Sequence, residues 1–402
     1  MATICQALCE GRKGSPLGSR DITTAVFVAK TARTFCYGFL GVLLPVYLSE
    51  LGVSPAGVGI AVTLTLAGSA GLTWAVRRPA ERHGGPPVLV ALGALSAAAA
   101  LILLVSRDPR LVVLAAMLGN VAVGTGETGP FLTLEQVLIA RAVDARRRTT
   151  VLSVYNLIGY AAAALGAALV GAVPGYRTLF LIFLAAAAVQ CLAYARLRRR
   201  VPLRPRPAAG ARLPSAPLIR RLAALFALDS FAGGFVLQSL VAYYLHARFG
   251  LGLQALGGVF AVTQVLTAVS LLLAARAAAR FGLLPTMVVS HLVSNVVLLA
   301  IAAAPSAAVA VGLLFARHLL SQMDVPTRQA YVMAIVEDRE REAAAAATNL
   351  TRTVAQAVTP ALTGWVMQAV ALSAPFVLGG GLKIVYDLLL WRTFKDVKVE
   401  RE

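Results

Sequence analysis

Glu127, Glu135, Asp229, Asp324, Arg33, Arg317, Arg328 and Arg352 carry the most conspicuous chemistry of this 402-residue chain, because each interrupts a long apolar run. A charge held in hydrocarbon costs a few kcal/mol or more, so it persists where it is paired, faces a water-filled path or carries a proton. At about 100° per residue, Arg317, Asp324 and Arg328 project within about 60° of one another on one helix. Asn349, Arg352 and Gln356 form a stripe at i, i+3 and i+7, a spacing that lines one helical face. The rise per residue places Glu127 and Asp324 near mid-depth, with Arg33, Glu135, Asp229, Arg328 and Arg352 nearer one end. Glu127, Arg317 and Asp324, with His318, Asn349, Arg352 and Gln356, are therefore expected to bind a solute or a proton. Arg33, Glu135, Asp229 and Arg328 are expected to form ion pairs that close a gate.

Other polar residues take plainer expectations. Lys30 should extend its ammonium towards the membrane boundary. Lys383 and Asp387 suit an i, i+4 pair, and His291 a structural hydrogen bond. Pro130, Pro326 and Pro360 should kink their helices. The cysteines (Cys5, Cys9, Cys36, Cys191) and the scattered histidines form no metal-ligand array. No Walker phosphate loop and no clustered nucleophile or acid–base set occurs, so an enzyme, a metal, a cofactor and direct use of ATP are not expected.

The elements that must position these residues follow from composition. Hydrophobic residues make up 58% of the chain and charged residues only 14%, with mean hydropathy +0.77. A soluble domain carries about a quarter charged residues, so a water-facing globular surface is excluded. Twelve apolar segments read out at about 23–50, 55–76, 87–106, 111–140, 149–172, 176–195, 220–247, 253–275, 284–304, 306–335, 343–371 and 375–392. Each approaches the ~20 residues that span a ~30 Å hydrocarbon core as a helix. The fold class is all-α, polytopic and membrane-embedded.

Net charge is +19, from 37 Lys+Arg against 18 Asp+Glu. With the N-terminus inside, the outer loops hold only Arg107, Arg110, Arg177 and Arg248. That bias sets both termini in the cytoplasm, in the plasma or inner membrane, and accounts for the charge without nucleic acid. The organisation expected is a tail at 1–22, a six-helix bundle at 23–195, a linker at 196–219, a second six-helix bundle at 220–392 and a tail at 393–402. The linker region Arg196–Arg221 has nine Arg and five Pro and no acidic residue, too polar and Pro-rich to insert.

An internal repeat supports the two bundles. A shift of 193 aligns Gln136 with Gln329, Arg146 with Arg339, Asn156 with Asn349 and Gly171 with Gly364. A shift of 198 aligns Gly52 with Gly250, Gly59 with Gly257, Arg82 with Arg280 and Gly84 with Gly282. Shared Gln, Asn and Arg positions are harder to obtain by chance than shared Ala or Leu.

With twelve helices, a 6+6 repeat and a basic central loop, the chain resembles the major facilitator superfamily of secondary transporters. The loop residues Glu81, Arg82 and Gly84 are similar to that family's acidic–basic–glycine signature between helices 2 and 3. Arg280 and Gly282 keep part of it in the second half, where Ala279 replaces the acid. The resemblance implies alternating access around a site lined by helices 1, 4, 7 and 10. It implies a small-molecule substrate, protons as coupling ion, contact with membrane lipid and a monomer. Proton-coupled export leads, organic-anion or metabolite uptake or exchange follows, and a non-transporting sensor or scaffold is the rival of another class.

Overall fold

The computed structural model describes residues 19–122, 124, 129–143, 145–173, 175–197, 216–335 and 341–395. The first half comprises α1 (Ser19–Glu50), α2 (Pro55–Ala75), α3 (Arg77–His83), α4 (Gly85–Val105), α5 (Pro109–Leu118), α6 (Pro130–Ala142), α7 (Ala145–Ala172) and α8 (Tyr176–Ala195). The second comprises α9 (Ala216–Gly234), α10 (Gln238–Phe249), α11 (Leu253–Phe281), α12 (Leu283–Ala302), α13 (Ala307–Ser321), α14 (Asp324–Ile335), α15 (Arg341–Ala369) and α16 (Ala374–Phe394). Among the described residues, nine spans are long and apolar enough to cross a membrane by length and composition. The fourth crossing (α5 with α6), the tenth (α13 with α14) and the more polar α15 complete the expected twelve. The seventh crossing starts at Ala216, four residues before the expected 220.

Three crossings are broken where continuous helices were expected over 111–140, 220–247 and 306–335. In the fourth, Gly119 and Asn120 end α5, with Asn120 at φ 50, and α6 begins at Pro130 after Gly129 at φ 109. Proline suits that first position because its missing N–H has no intrahelical partner there. The seventh breaks after Gly233 and Gly234, which hold a helix weakly. The tenth breaks at Gln322 and Met323, one turn before Pro326, which has no N–H to offer the Gln322 carbonyl. Pro130 and Pro326 thus lie in first turns and kink nothing. Pro360 is inside α15 as expected, and Pro45 is inside α1 as well.

The repeat is visible in the backbone. Gly84 (φ 86, ψ 168) and Gly282 (φ 88, ψ 164) each separate two helices in the same left-handed conformation. Glu81, Arg82 and Arg280 are exposed on the helical turns that lead into them.

Buried apolar residues fall into three clusters. The end that holds the start of α1 and the end of α16 is the near end, and the opposite one the far end. A large cluster at the far end draws on both halves, including Phe39, Leu43, Val58, Phe180, Tyr244, Phe260 and Phe376. At the near end each half has its own core: Val26, Leu89, Phe131 and Tyr155 in the first, Leu222, Phe226, Tyr331 and Leu390 in the second.

The far-end junction is made by small residues, as expected where helices attract one another by close backbone contact in lipid. Gly59 of α2 faces Gly364 of α15 so tightly that a Cβ at Gly59 would lie 2.3 Å from the Pro360 carbonyl oxygen. A Cβ at Gly257 of α11 would lie 2.6 Å from the Ala167 carbonyl oxygen of α7. Two hydrogen bonds add to the α2–α15 contact. Ala361 N–H donates to Thr63 Oγ1 (2.9 Å), and Ala56 N–H to Gln368 Oε1 (3.3 Å).

Candidate functional site

Among the described residues, the first half buries an ion pair between Arg33 and Glu135. Arg33 of α1 donates to Glu135 of α6 through both terminal nitrogens, at 2.6 and 3.2 Å. Tyr155 of α7 donates to Glu135 Oε2 at 2.5 Å, and Tyr194 of α8 donates to Oε1. Arg33 also donates to the Tyr194 hydroxyl at 2.9 Å, and its guanidinium lies 4.5 Å over the Phe131 ring. Arg33 and Glu135 are both 0% exposed. Five hydrogen bonds and a ring face thus replace the water that both charges lose.

The second half buries a larger network centred on Asp229 of α9. Lys383 Nζ of α16 donates to Oδ1 at 2.6 Å, and Arg328 of α14 donates to Oδ2 at 3.4 Å. Arg328 bonds Asp324 more closely, at 2.5 Å, one turn away on α14. Asp324 also stands in that helix's first turn, where a negative charge meets the positive end of the helix dipole. Arg352 of α15 donates from Nε to Ser230 Oγ at 2.9 Å, next to Asp229. Further out, Asp387 of α16 accepts from Asn295 Nδ2 at 2.9 Å and lies 2.7 Å from His291 Nδ1, both on α12.

Between the halves is a cavity of about 110 Å³. Lys30, Thr34 and Tyr37 of α1, Asn156 and Tyr160 of α7, Gln238 of α10 and Gln264 of α11 line it. Gln264 Nε2 donates to Gln238 Oε1 at 3.1 Å. The cavity also touches Gly124 in the broken fourth crossing. It therefore draws on both halves, next to the unwound backbone.

The expected residues are distributed unevenly over this geometry. Arg33, Glu135, Asp229 and Arg328 do pair, but each pair lies within one half and neither bridges the two. Asp324 and Arg328 share a face of α14 one turn apart, while Arg317 lies on α13, beyond the break at Gln322 and Met323. Arg317 Nε has no hydrogen-bond partner among the described residues, and His318 Nδ1 bonds the Leu314 carbonyl one turn back at 2.8 Å. Arg352 turns towards α9, and the Gln356 carbonyl oxygen also approaches α9, 3.1 Å from where a Cβ of Gly234 would stand. Glu127 and the side chains of Asn349 and Pro326 lie outside the described residues.

Two expectations are corrected. Lys30 is 3% exposed and lines the cavity with its ammonium 4.2 Å over the Tyr155 ring, far from snorkelling to a boundary. Lys383 bonds Asp229 across helices, and not Asp387 one turn away. His291 makes a hydrogen bond as expected, to Asp387 within the charged network. The cavity's amides were missed, although Asn156, Gln238 and Gln264 each interrupt apolar sequence and gave a signal.

Twelve crossings in two six-helix halves, with a polar cavity between them and buried ion pairs inside each, define a polytopic transporter fold. A family model described as Major Facilitator Superfamily matches residues 26–316 and 223–402, and the chain belongs to that family. It is 24% identical, over 96% of both chains, to an uncharacterized membrane protein of Saccharomyces cerevisiae. Among solved structures, it is similar to a bacterial homolog of the human lysosomal transporter Spinster in an inward-facing, occupied conformation. There the TM-score is 0.74, with 14% identity over 96% of this chain and 100% of that one. It is also similar to the human organic anion transporter MFSD10, with TM-score 0.67 and 17% identity over 94% of this chain and 100% of that one. An auto-inhibited POT family peptide transporter gives TM-score 0.75 and 12% identity over 95% and 99%. At these identities the structures speak for the fold.

Proposed function

We propose that this protein is a monomeric secondary transporter that moves a small organic solute by alternating access, coupled to protons. The observation that carries the reading is the unequal packing of the two ends. The halves share one core at the far end and keep separate cores at the near end, with the cavity where the shared packing stops. Two bundles joined at one end can rock to join at the other, which exposes the site to each side in turn. The basic residues of the near-end loops favour a cytoplasmic position for that end, in a plasma or inner membrane. The solute binds in the cavity beside Lys30, Asn156 and Gln238. Glu127 belongs to the fourth crossing, which lines the cavity through Ala122, Gly124 and Leu132, and Arg317 and Asp324 belong to the tenth. The ion pairs Arg33–Glu135 and Asp229–Arg328 brace each half so that it moves as one body.

Export in exchange for protons is the first form of this reading. Organic-anion uptake or exchange is the second, favoured by the Lys30 ammonium at the cavity wall. Purified protein in sealed liposomes with an imposed pH gradient tests both, using a fluorescent lipophilic cation and a fluorescent carboxylate as probes. Gradient-driven movement of the cation supports export, and movement of the carboxylate supports the anion form. If neither probe nor any of a panel of neutral amphiphiles moves, the transporter reading falls and a sensor or scaffold replaces it.

A further inference from the structure

We propose that His291 is a proton-binding site of this transporter, placed on α12 and α16 and outside the crossings that line the cavity. The proposal rests on the proton-coupled reading above and adds where the proton sits. His291 lies between two carboxylates: its Nδ1 is 2.7 Å from Asp387 Oδ1, and its Nε2 is 3.6 Å from Asp229 Oδ1. Lys383 Nζ occupies the same Asp229 oxygen at 2.6 Å and stands 3.4 Å from His291 Nε2. All four side chains are buried, none more than 6% exposed.

The geometry assigns the tautomer. An ammonium has no acceptor, so Lys383 donates to Nε2, and the ring proton is on Nδ1, donated to Asp387. A proton arriving at Nε2 would put two cations 3.4 Å apart in a site of low polarity, so Lys383 must withdraw from that nitrogen. The imidazolium then bridges Asp387 and Asp229, and competes with the ammonium for Asp229 Oδ1. The tie from α9 passes from Lys383 on α16 to His291 on α12, while Arg328 keeps its contact with Oδ2. Through α9 the change reaches the break at Gly234 and then α10, which packs into the core shared by both halves.

The charged and titratable groups around His291 come from every helix packed there. They are Asp229 on α9, Lys383, Asp387 and Tyr386 on α16, and Arg328 and Asp324 on α14; the Tyr386 ring is 5.8 Å from the imidazole. Arg317 on α13 and Arg352 on α15 act on the same Asp229 carboxylate. Among the described residues, the first half has no equivalent: the positions 193 residues before Lys383 and Asp387 are Gln190 and Tyr194, and both polar atoms of the Gln190 amide are without a partner there.

The test uses full-length protein labelled with 15N-histidine in lipid, scanned from about pH 5 to about pH 9, where an imidazole titrates. His291→Gln assigns the His291 signal by its loss. Spin labels at Arg78→Cys and Arg276→Cys, in a chain with its native cysteines replaced, report the near-end distance between halves. The expected result is that His291 becomes doubly protonated as pH falls and that the distance changes at the same midpoint. In Lys383→Gln, where the competing cation is gone, the two midpoints should still coincide. If His291 stays neutral across the range while the distance still follows pH, this proposal is overturned and proton coupling stands. A distance that ignores pH in the unmutated chain sinks both. Should His291→Gln fail to fold, Lys383→Gln and Asp387→Asn carry the same comparison.

Discussion

Glu135 and Arg328 occupy the same position in the two repeats, 193 residues apart, and carry opposite charges. Glu135 accepts from Arg33 on the first helix of its half, and Arg328 donates to Asp229 on the first helix of the other. Each guanidinium lies over a phenyl ring from the acidic partner's own helix: Phe131 at 4.5 Å and Phe226 at 5.6 Å. The repeat has kept the bond between its first and fourth crossings and reversed its polarity.

Neutralising one partner of the first pair should cost more than removing both. Glu135→Gln leaves the Arg33 charge buried without its counterion, a loss of about 3–5 kcal/mol in comparable sites. Arg33→Met together with Glu135→Gln should recover most of that loss. Thermal unfolding of the purified variants reads the difference. A double variant no more stable than Glu135→Gln would show that the pair's charges are not what is at stake.

The second network predicts a different pattern. Asp229→Asn takes a counterion from Lys383 and from Arg328, which keeps Asp324, while Lys383→Gln leaves Asp229 still paired with Arg328. Asp229→Asn should therefore destabilise more than Lys383→Gln, and combining the two should restore part of the loss. Strict additivity of the two substitutions in unfolding would disprove the coupling.

At the far end, Gly59→Ala would drive a methyl group against the Pro360 carbonyl, with no flexible side chain to give way. The variant should open the α2–α15 contact and shift the population towards the state closed at the near end. Spin-label distances between the ends of α2 and α15 should lengthen, and gradient-driven flux should fall. Unchanged distances would mean that this contact does not hold the far end shut.

Gln190 offers the opposite kind of test. It is 0% exposed and its amide makes no hydrogen bond among the described residues. Burying such a group costs about 1–3 kcal/mol, so Gln190→Leu should leave the protein as stable or more stable. A clear drop in melting temperature would reveal a partner for the amide.

The twelve crossings and the two-half repeat were legible because apolar length and spaced Gln, Asn and Arg positions survive in the linear order of residues. The ion-pair residues were legible too, since Arg33, Glu135, Asp229 and Arg328 stand out against apolar neighbours. Their pairing was not. Whether Lys383 turns to Asp387 one turn away or to Asp229 across a helix contact depends on interhelical distance, which spacing alone does not carry. The broken crossings were hidden for a related reason. Gly233, Gly234 and Pro326 are tolerated in membrane helices as often as they end them, and only packing decides. Lys30 was misplaced because its position in the chain suits a boundary, while the aromatic face of Tyr155 holds it inside.

Where the halves approach most closely at the far end, main chain meets main chain: Gly59 against Gly364 and the Pro360 carbonyl, and Gly257 against the Ala167 carbonyl. Nothing in those glycine contacts ionises, and nothing in them is screened by salt. This latch has no chemical key of its own. Those contacts carry no charge that acidity or a solute could address, so in the proposed cycle the signal that parts them reaches them through the helices.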